Sequence, residues 1–441
     1  MNFLKRIFSP SFIIFSSILL IYTFYRSEII YEGERRNYYN IYYAASLLLI
    51  TFSIISFYIS NKFKEYLIII FSSLVVSIYA FEGYLIKKHN VKYQIYERDT
   101  GKKFDRREHF EVYDDLKKEN NQIAVSIRGK LIENEDYSIY SLAGISNSKT
   151  ILCNENGYYP IYESDRYGFN NPDKEWDSEE IEYLLVGDSF TYGSCVDRPN
   201  DIGSVLRSLS NNKSVLNLGY RGNGPLIEYA AIKEYLSPKV KKVLWIYYAN
   251  DLNNLSTEKN EPILMNYFND TSFTQKLKLK QDVIDEHLKK EWEKRRKKIE
   301  KVFLKKGKKT DLKHFIKFYN LRMFIVGRKE QKPPALPVDF KRVLEQAQEI
   351  TKKNNSKLYF IHLPHNSRYI NSRNKTEINK KYTLIKNIVE ELKIPFIDIH
   401  KEVFKKEKNP LKLFPFEQNN HYTVEGYKKI AESIYNITKS K

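Results

Sequence analysis

Four short polar segments in the second half of the chain carry the residue types that acyl transfer requires. Ser189 lies in Gly187-Asp188-Ser189-Phe190-Thr191-Tyr192-Gly193, Gly222 in Gly219-Tyr220-Arg221-Gly222-Asn223-Gly224, Asn250 in Tyr248-Ala249-Asn250-Asp251, and His421 in Asn419-Asn420-His421-Tyr422. A serine hydroxyl is a weak nucleophile at its free pKa and needs a base within hydrogen-bond reach, for which His421 is the candidate. The oxyanion that forms on attack needs donors aimed at it. The backbone N–H groups of Ser189 and Gly222 and the Asn250 side-chain amide are candidates. Gly222 suits the role because a missing Cβ lets its backbone approach the reacting carbonyl.

These segments work together only if the fold collects them. Tyr183–Val186, Val215–Leu218, Val243–Tyr247, Leu358–Ile361 and Pro395–Ile399 read as strands. Helices are expected at Ile202–Leu209, from Pro225 to about Leu236, near Glu377–Leu392 and at Val424–Ile437. Pro225 sits where a first helical residue is favoured. Strands alternating with helices at these lengths predict a mostly parallel sheet covered on both faces. In such sheets reactive groups gather at the carboxyl ends of the strands. Ser189, Gly222 and Asn250 each follow a strand there, and His421 precedes the last helix.

This constellation resembles the SGNH, or GDSL-like, hydrolase family. Gly187-Asp188-Ser189 is similar to its first block, Gly222 to its second, Asn250-Asp251 to its third and His421 to its last, in the same order. The resemblance covers about residues 179–437. It implies a flavodoxin-like three-layer α/β/α sandwich, an esterase or O-acyltransferase activity through Ser189 and His421, and no cofactor or metal. One position departs from the pattern. The family usually carries an aspartate three residues before its histidine, and here that position is Gln418. Three arrangements are open: a Ser189–His421 dyad whose ring is held by the Gln418 amide or a backbone carbonyl, Glu417 as substitute acid, or an impaired site. The family's membrane-anchored bacterial members also carry a segment similar to Asp165-Arg166-Tyr167-Gly168-Phe169-Asn170-Asn171-Pro172. That resemblance suggests acylated, for instance acetylated, envelope carbohydrate as substrate. A lipid esterase or thioesterase and a catalytically silent polysaccharide-binding scaffold are the alternatives. A membrane acyltransferase or an envelope-assembly protein is a candidate partner.

Cys153 precedes that segment and Cys195 lies six residues after Ser189. A bridge between them would close a loop of about 42 residues, worth roughly 3–4 kcal/mol by the chain-entropy argument. It would also tie the segment before the strands to the nucleophile turn. Such a bridge implies an oxidising compartment, and a periplasmic location is the expectation. Two free thiols are the alternative. Two cysteines exclude a four-cysteine zinc site, and no Cys/His neighbourhood suggests a metal. Arg221 is a candidate substrate contact, with a surface ion pair equally open.

The chain has 441 residues, and 73 basic against 54 acidic side chains give it a charge of +19. The basic residues are 54 Lys and 19 Arg beside abundant Asn, Ile, Tyr and Phe, the bias of an AT-rich genome. No nucleic-acid-binding signature accompanies them, and no nucleic-acid partner is expected. Three apolar runs, at about 8–25, 41–60 and 66–86, are near the ~20 residues that cross a bilayer. They are expected to form a three-helix transmembrane anchor over 1–90, placing the protein in a bacterial inner membrane. Lys5, Arg6, Lys62 and Lys64 balance Arg26, Arg35, Arg36, Lys87 and Lys88, so flanking charge gives no orientation. Residues 91–178 are expected as a lead-in packed on a hydrolase domain at 179–441. A basic helical insertion at about 256–335 interrupts that domain. Ile284, Leu288, Trp292, Ile299 and Phe303 share one face there, which fits a helix docked on the domain or one resting on an anionic surface.

Overall fold

The computed structural model describes residues 2–133, 138–306, 309–326, 339–370, 375–418 and 421–439. The chain forms two compact units, Met1–His89 with Lys308–Lys329, and Asn90–Gly307 with Glu330–Lys441.

In the first unit, α1 (Asn2–Phe24), α2 (Arg36–Ser56) and the start of α3 (Asn61–Thr100) supply three helices long and apolar enough to cross a membrane. Leu, Ile and Phe side chains cover their outer faces, while serines fill the contact between α1 and α2. Ser16 and Ser53 share a hydrogen bond of 3.0 Å, and the Ser9 hydroxyl donates to the Ser56 carbonyl. Small hydroxyl residues let apolar helices approach closely. The third run, read as ending near residue 86, opens a helix of 40 residues. Hydropathy falls after Ile86, but Lys87–Thr100 contains neither Gly nor Pro, so nothing breaks the helix. Part of the basic insertion also belongs to this unit. Helices Lys309–Ile316 and Tyr319–Val326 pack on α3, and Glu82 accepts hydrogen bonds from the Asn320 and Leu321 N–H groups at 2.9 and 2.7 Å.

The second unit holds a five-stranded parallel sheet. Its strands are β1 (Ile181–Gly187), β2 (Ser214–Asn217), β3 (Val240–Tyr247), β4 (Lys357–His362) and β5 (Phe396–Asp398), in spatial order β5-β4-β3-β1-β2. Each strand is apolar on both faces, as a sheet covered on both sides requires. Leu184, Val186, Val243 and Trp245 point into one core, where α5 (Pro225–Tyr235) and α8 (Asp339–Lys353) pack. Tyr183, Leu185, Leu244 and Ile246 point into the other, with α4 (Ile202–Leu209) and α9 (Val424–Thr438). The result is the three-layer α/β/α sandwich of flavodoxin-like order expected from the sequence. After β2 the strand order reverses and β3 is added on the other side of β1, which puts a topological switch point between the carboxyl ends of β1 and β3.

The lead-in is ordered more fully than its weak periodicity implies. Ile123–Val125, Lys149–Ile151 and Ile161–Glu163 form a small mixed sheet, and Leu131–Glu133 pairs antiparallel with Ser138–Tyr140. Asp165 organises the turn that follows. Its buried carboxylate accepts from the N–H groups of Tyr167 and Phe169, the Asn171 amide and the Trp176 indole. Burial pushes its carboxyl up to about 6, against the pull of the Asn171 and Trp176 donors. Asn171 then pairs both ways with the Asn217 backbone, at 2.8 and 3.1 Å, which fastens the lead-in to the end of β2.

Helix α7 (Gln281–Lys306), the most basic part of the insertion, docks on the lead-in. Ile284, Leu288 and Trp292 are buried, and Trp292 packs edge-on against Tyr113. Ile299 and Phe303 are 41% and 43% exposed, although Phe303 still meets Phe110 edge-on, so the apolar stripe is covered more fully over its first half. Glu291, Glu293 and Arg296 reach Lys130, Lys117 and Asp114.

Candidate active site

Gly187 ends β1 at a point with no room for a side chain. A Cβ there would lie 2.0 Å from the Thr191 hydroxyl and 2.5 Å from the Ile246 carbonyl. The chain turns at once into the short helix Ser189–Tyr192, whose N-cap Asp188 accepts from the Phe190 N–H at 2.9 Å. The Asp188 carboxyl is buried, and burial pushes its pKa up against the pull of the Phe190 N–H. Ser189 therefore stands at the carboxyl edge of the sheet on a turn fixed from both sides.

The Gly222 loop reaches this turn through the Tyr220 N–H, which donates to the Gly187 carbonyl at 3.2 Å. Gly222 itself has φ +77°, in the left-handed region where a Cβ is strained, and the Arg128 side chain packs over it. The Asn250 segment is tied in from two directions. Tyr248 stacks on Phe190 with ring centroids 3.8 Å apart, and in α6 (Asp251–Glu258) Asn254 donates to the Asn223 carbonyl at 2.8 Å. The Asn250 amide oxygen is buried and has no hydrogen-bond partner among the described residues.

His421 completes the cluster. Its Nε2 lies 2.8 Å from Ser189 Oγ, across 232 positions of sequence. Its Nδ1 lies 3.0 Å from a carboxylate oxygen of Glu155, and that same oxygen accepts the His421 backbone N–H at 2.7 Å. A carboxylate on Nδ1 requires the proton there and leaves the Nε2 lone pair facing the serine. Serine, imidazole and carboxylate thus stand in line.

Glu155 corrects the expectation for the position that orients the ring. Gln418 meets Asn366 through its backbone carbonyl, and the Glu417 carboxylate accepts from Asn409 at 3.0 Å. Both precede His421 on a strained turn that faces elsewhere, with φ +54° at Phe416 and +56° at Glu417. Residues Asn419 and Asn420 lie outside the described residues. The acid instead arrives from the lead-in, 266 positions earlier. Arg221 is exposed, and its guanidinium donates to the Ser126 carbonyl at 2.6 Å, another tie to the lead-in.

The Glu155 turn is held at both ends. Asn154 donates to the Asp105 carbonyl at 2.7 Å and Asn156 to the Cys195 carbonyl at 2.8 Å. Cys153 and Cys195 are bonded, with Cα atoms 4.8 Å apart. Cys153, Cys195 and His421 bring two sulfurs and an imidazole within 4.8 Å, but the bridge consumes both thiolates a metal would need.

No family model and no curated protein matches this chain. Among solved structures it is similar to a putative lipolytic protein of the G-D-S-L family from Desulfitobacterium hafniense. Identity is 14%, over 58% of this chain and 99% of that one, with a TM-score of 0.33. It is also similar to an acetyl xylan esterase, AlAXEase, at 12% over 58% and 100%, TM-score 0.35. A catalytic mutant of an acetylxylan esterase from Geobacillus stearothermophilus gives 13% over 59% and 95%, TM-score 0.32. At these identities the likeness concerns the fold alone.

Behind the Gly222 loop lie three buried carboxyls, Glu228, Asp251 and Glu258. Glu258 accepts from the Gly224 and Leu226 N–H groups at 2.6 and 3.0 Å, yet burial still pushes it up to about 7. A carboxyl raised in the folded state contributes stability that is complete below about pH 4.5 and is lost as pH rises through about 7. For Glu258 this loss is of order 3 kcal/mol. The melting temperature of Glu258→Gln is therefore expected to fall less between pH 5 and 8 than that of the parent. Parallel slopes in a calorimetric pH series would refute the assignment.

Proposed function

We propose that the chain is an SGNH-type serine esterase or O-acyltransferase held in a bacterial inner membrane. Its substrate would be acylated, most simply acetylated, envelope carbohydrate. The observation that carries this is the Ser189–His421–Glu155 line, with spacings of 2.8 and 3.0 Å. In this mechanism Ser189 Oγ attacks the ester carbonyl as its proton passes to His421 Nε2. Glu155 stabilises the imidazolium without taking its proton. The tetrahedral oxyanion is held by the N–H groups of Ser189 and Gly222 and by the Asn250 amide. His421 then protonates the leaving alkoxide, and the acyl group remains on Ser189. Water activated by the same histidine releases it as an acid; a sugar hydroxyl in place of water makes the reaction a transfer.

A silent scaffold drew its support from Gln418, and a carboxylate on Nδ1 removes that support. The disulfide favours an oxidising compartment, with the second unit on the periplasmic side. A fluorophosphonate probe tests the reading. It is expected to label the oxidised full chain at Ser189 and to leave Ser189→Ala unlabelled. Failure to label under conditions that label a control serine esterase would sink the proposal.

A further inference from the structure

A cavity of about 1200 Å³ opens in the second unit, walled in part by chain neighbours of Glu155 and His421. Asn156, next to Glu155, and Thr423, two residues after His421, form part of its wall. The end of α3 supplies Tyr96, and the loop before His421 supplies Lys412 and Phe416. Tyr158 completes the near side. Nothing in the acyl-transfer chemistry uses this space. An acetyl ester needs far less of it, and drug-sized ligands fill about 300–1000 Å³.

Three features of the wall point to one kind of occupant. First, Tyr96, Tyr158 and Phe416 are each only half-buried, and their rings present apolar faces beside polar neighbours. Tyr96 and Phe416 are braced by the same ring, Phe104, at centroid distances of 5.6 and 6.1 Å. Second, acidic and basic groups are interspersed around the wall, including Lys102, Lys412, Asp197 and Glu425. A polyanion would call for a uniformly basic lining, whereas mixed donors and acceptors suit a hydroxyl-rich neutral chain. Third, Phe416 and Glu417 both hold positive φ, a costly conformation for residues with these side chains. Strain of this kind concentrates where a ligand is clamped, and here it fixes an aromatic ring in the cavity wall a few residues before the histidine.

We infer that this cavity is a binding cleft for a neutral polysaccharide chain, which it holds beside the acyl-transfer site. The inference rests on the proposed function and deepens it: the enzyme would act on acyl groups borne by a polymer, reading several sugar units at once. Its test separates binding from turnover. Full-length Ser189→Ala in detergent is run through native gels containing increasing acetylated xylan, and the dissociation constant is taken from the retardation. Phe416→Ala in that background is expected to weaken binding at least tenfold, roughly the effect of deleting an aromatic anchor. Phe416→Trp, which restores a ring, should stay within about twofold of the parent by the same argument. Lys412→Ala removes an exposed side chain with little risk to folding and should cost about threefold, in the range of a peripheral contact. Melting temperatures identify any variant that has unfolded. The inference is overturned if acetylated xylan does not retard Ser189→Ala, or if Lys412→Ala and folded Phe416→Ala bind as the parent does. Either result would leave phosphonate labelling of Ser189 untouched.

Discussion

Glu155→Gln lowers kcat/KM on an activated acetyl ester by about 10³–10⁴-fold, with most of the loss in kcat. Replacing the acid of a serine–histidine–acid triad by its amide costs about 10⁴ in a well-studied case. Two effects combine. The amide can offer its N–H₂ to Nδ1, which selects the tautomer whose proton points at the serine. It also removes the negative charge that favours the imidazolium. Adding Gln418→Asp to Glu155→Gln restores little, since residue 418 turns toward Asn366 and only its backbone is engaged there. Full activity in Glu155→Gln, or rescue by Gln418→Asp, would return the orienting role to the loop before the histidine.

The reason Glu155 escapes sequence reasoning is physical. Ser189, Gly222 and Asn250 follow apolar runs whose length marks them as buried parallel strands, so the sheet gathers them by a rule that a sequence reader can apply. Glu155 follows no such element. It sits on a turn between two short strands of the lead-in, where hydropathy has no period, and long-range packing alone brings it to the histidine. One signal was nevertheless present. The cysteine pair places Cys153 beside the nucleophile turn, and a carboxylate two residues from Cys153 must then lie close to the site. The end of α3 was illegible for the opposite reason: hydropathy reports where a bilayer would end, whereas the helix ends only at Gly101, which has φ +67°. The basic insertion divides between the two units because its apolar positions serve different partners. Ile284, Leu288 and Trp292 serve one core, and Phe315, Phe318 and Phe324 serve α3 through Tyr79 and Phe81.

Breaking the Cys153–Cys195 bridge should disarm the site through Glu155. The bridge joins the acid-bearing turn to the loop after Ser189, and Asn156 reinforces it by donating to the Cys195 carbonyl. Paired Cys153→Ser and Cys195→Ser substitutions release one end of that turn, and a displacement of about 1 Å at a catalytic group is enough to cost roughly a hundredfold. The expected loss in kcat is therefore about 10–100-fold. Removing a crosslink that closes a loop of this length also costs roughly 3–4 kcal/mol, or about 5–10 °C in melting temperature for a domain of this size. Stability alone does not explain lost rate below the melting transition, and a double-mutant cycle separates the two. If the bridge acts by holding Glu155, breaking it in Glu155→Gln removes little further activity, although the melting temperature falls as before. Fully multiplicative losses in kcat would show that the bridge supports the nucleophile turn by another route. Unchanged kcat in the reduced enzyme would mean that Asn154 and Asn156 hold the acid in place unaided.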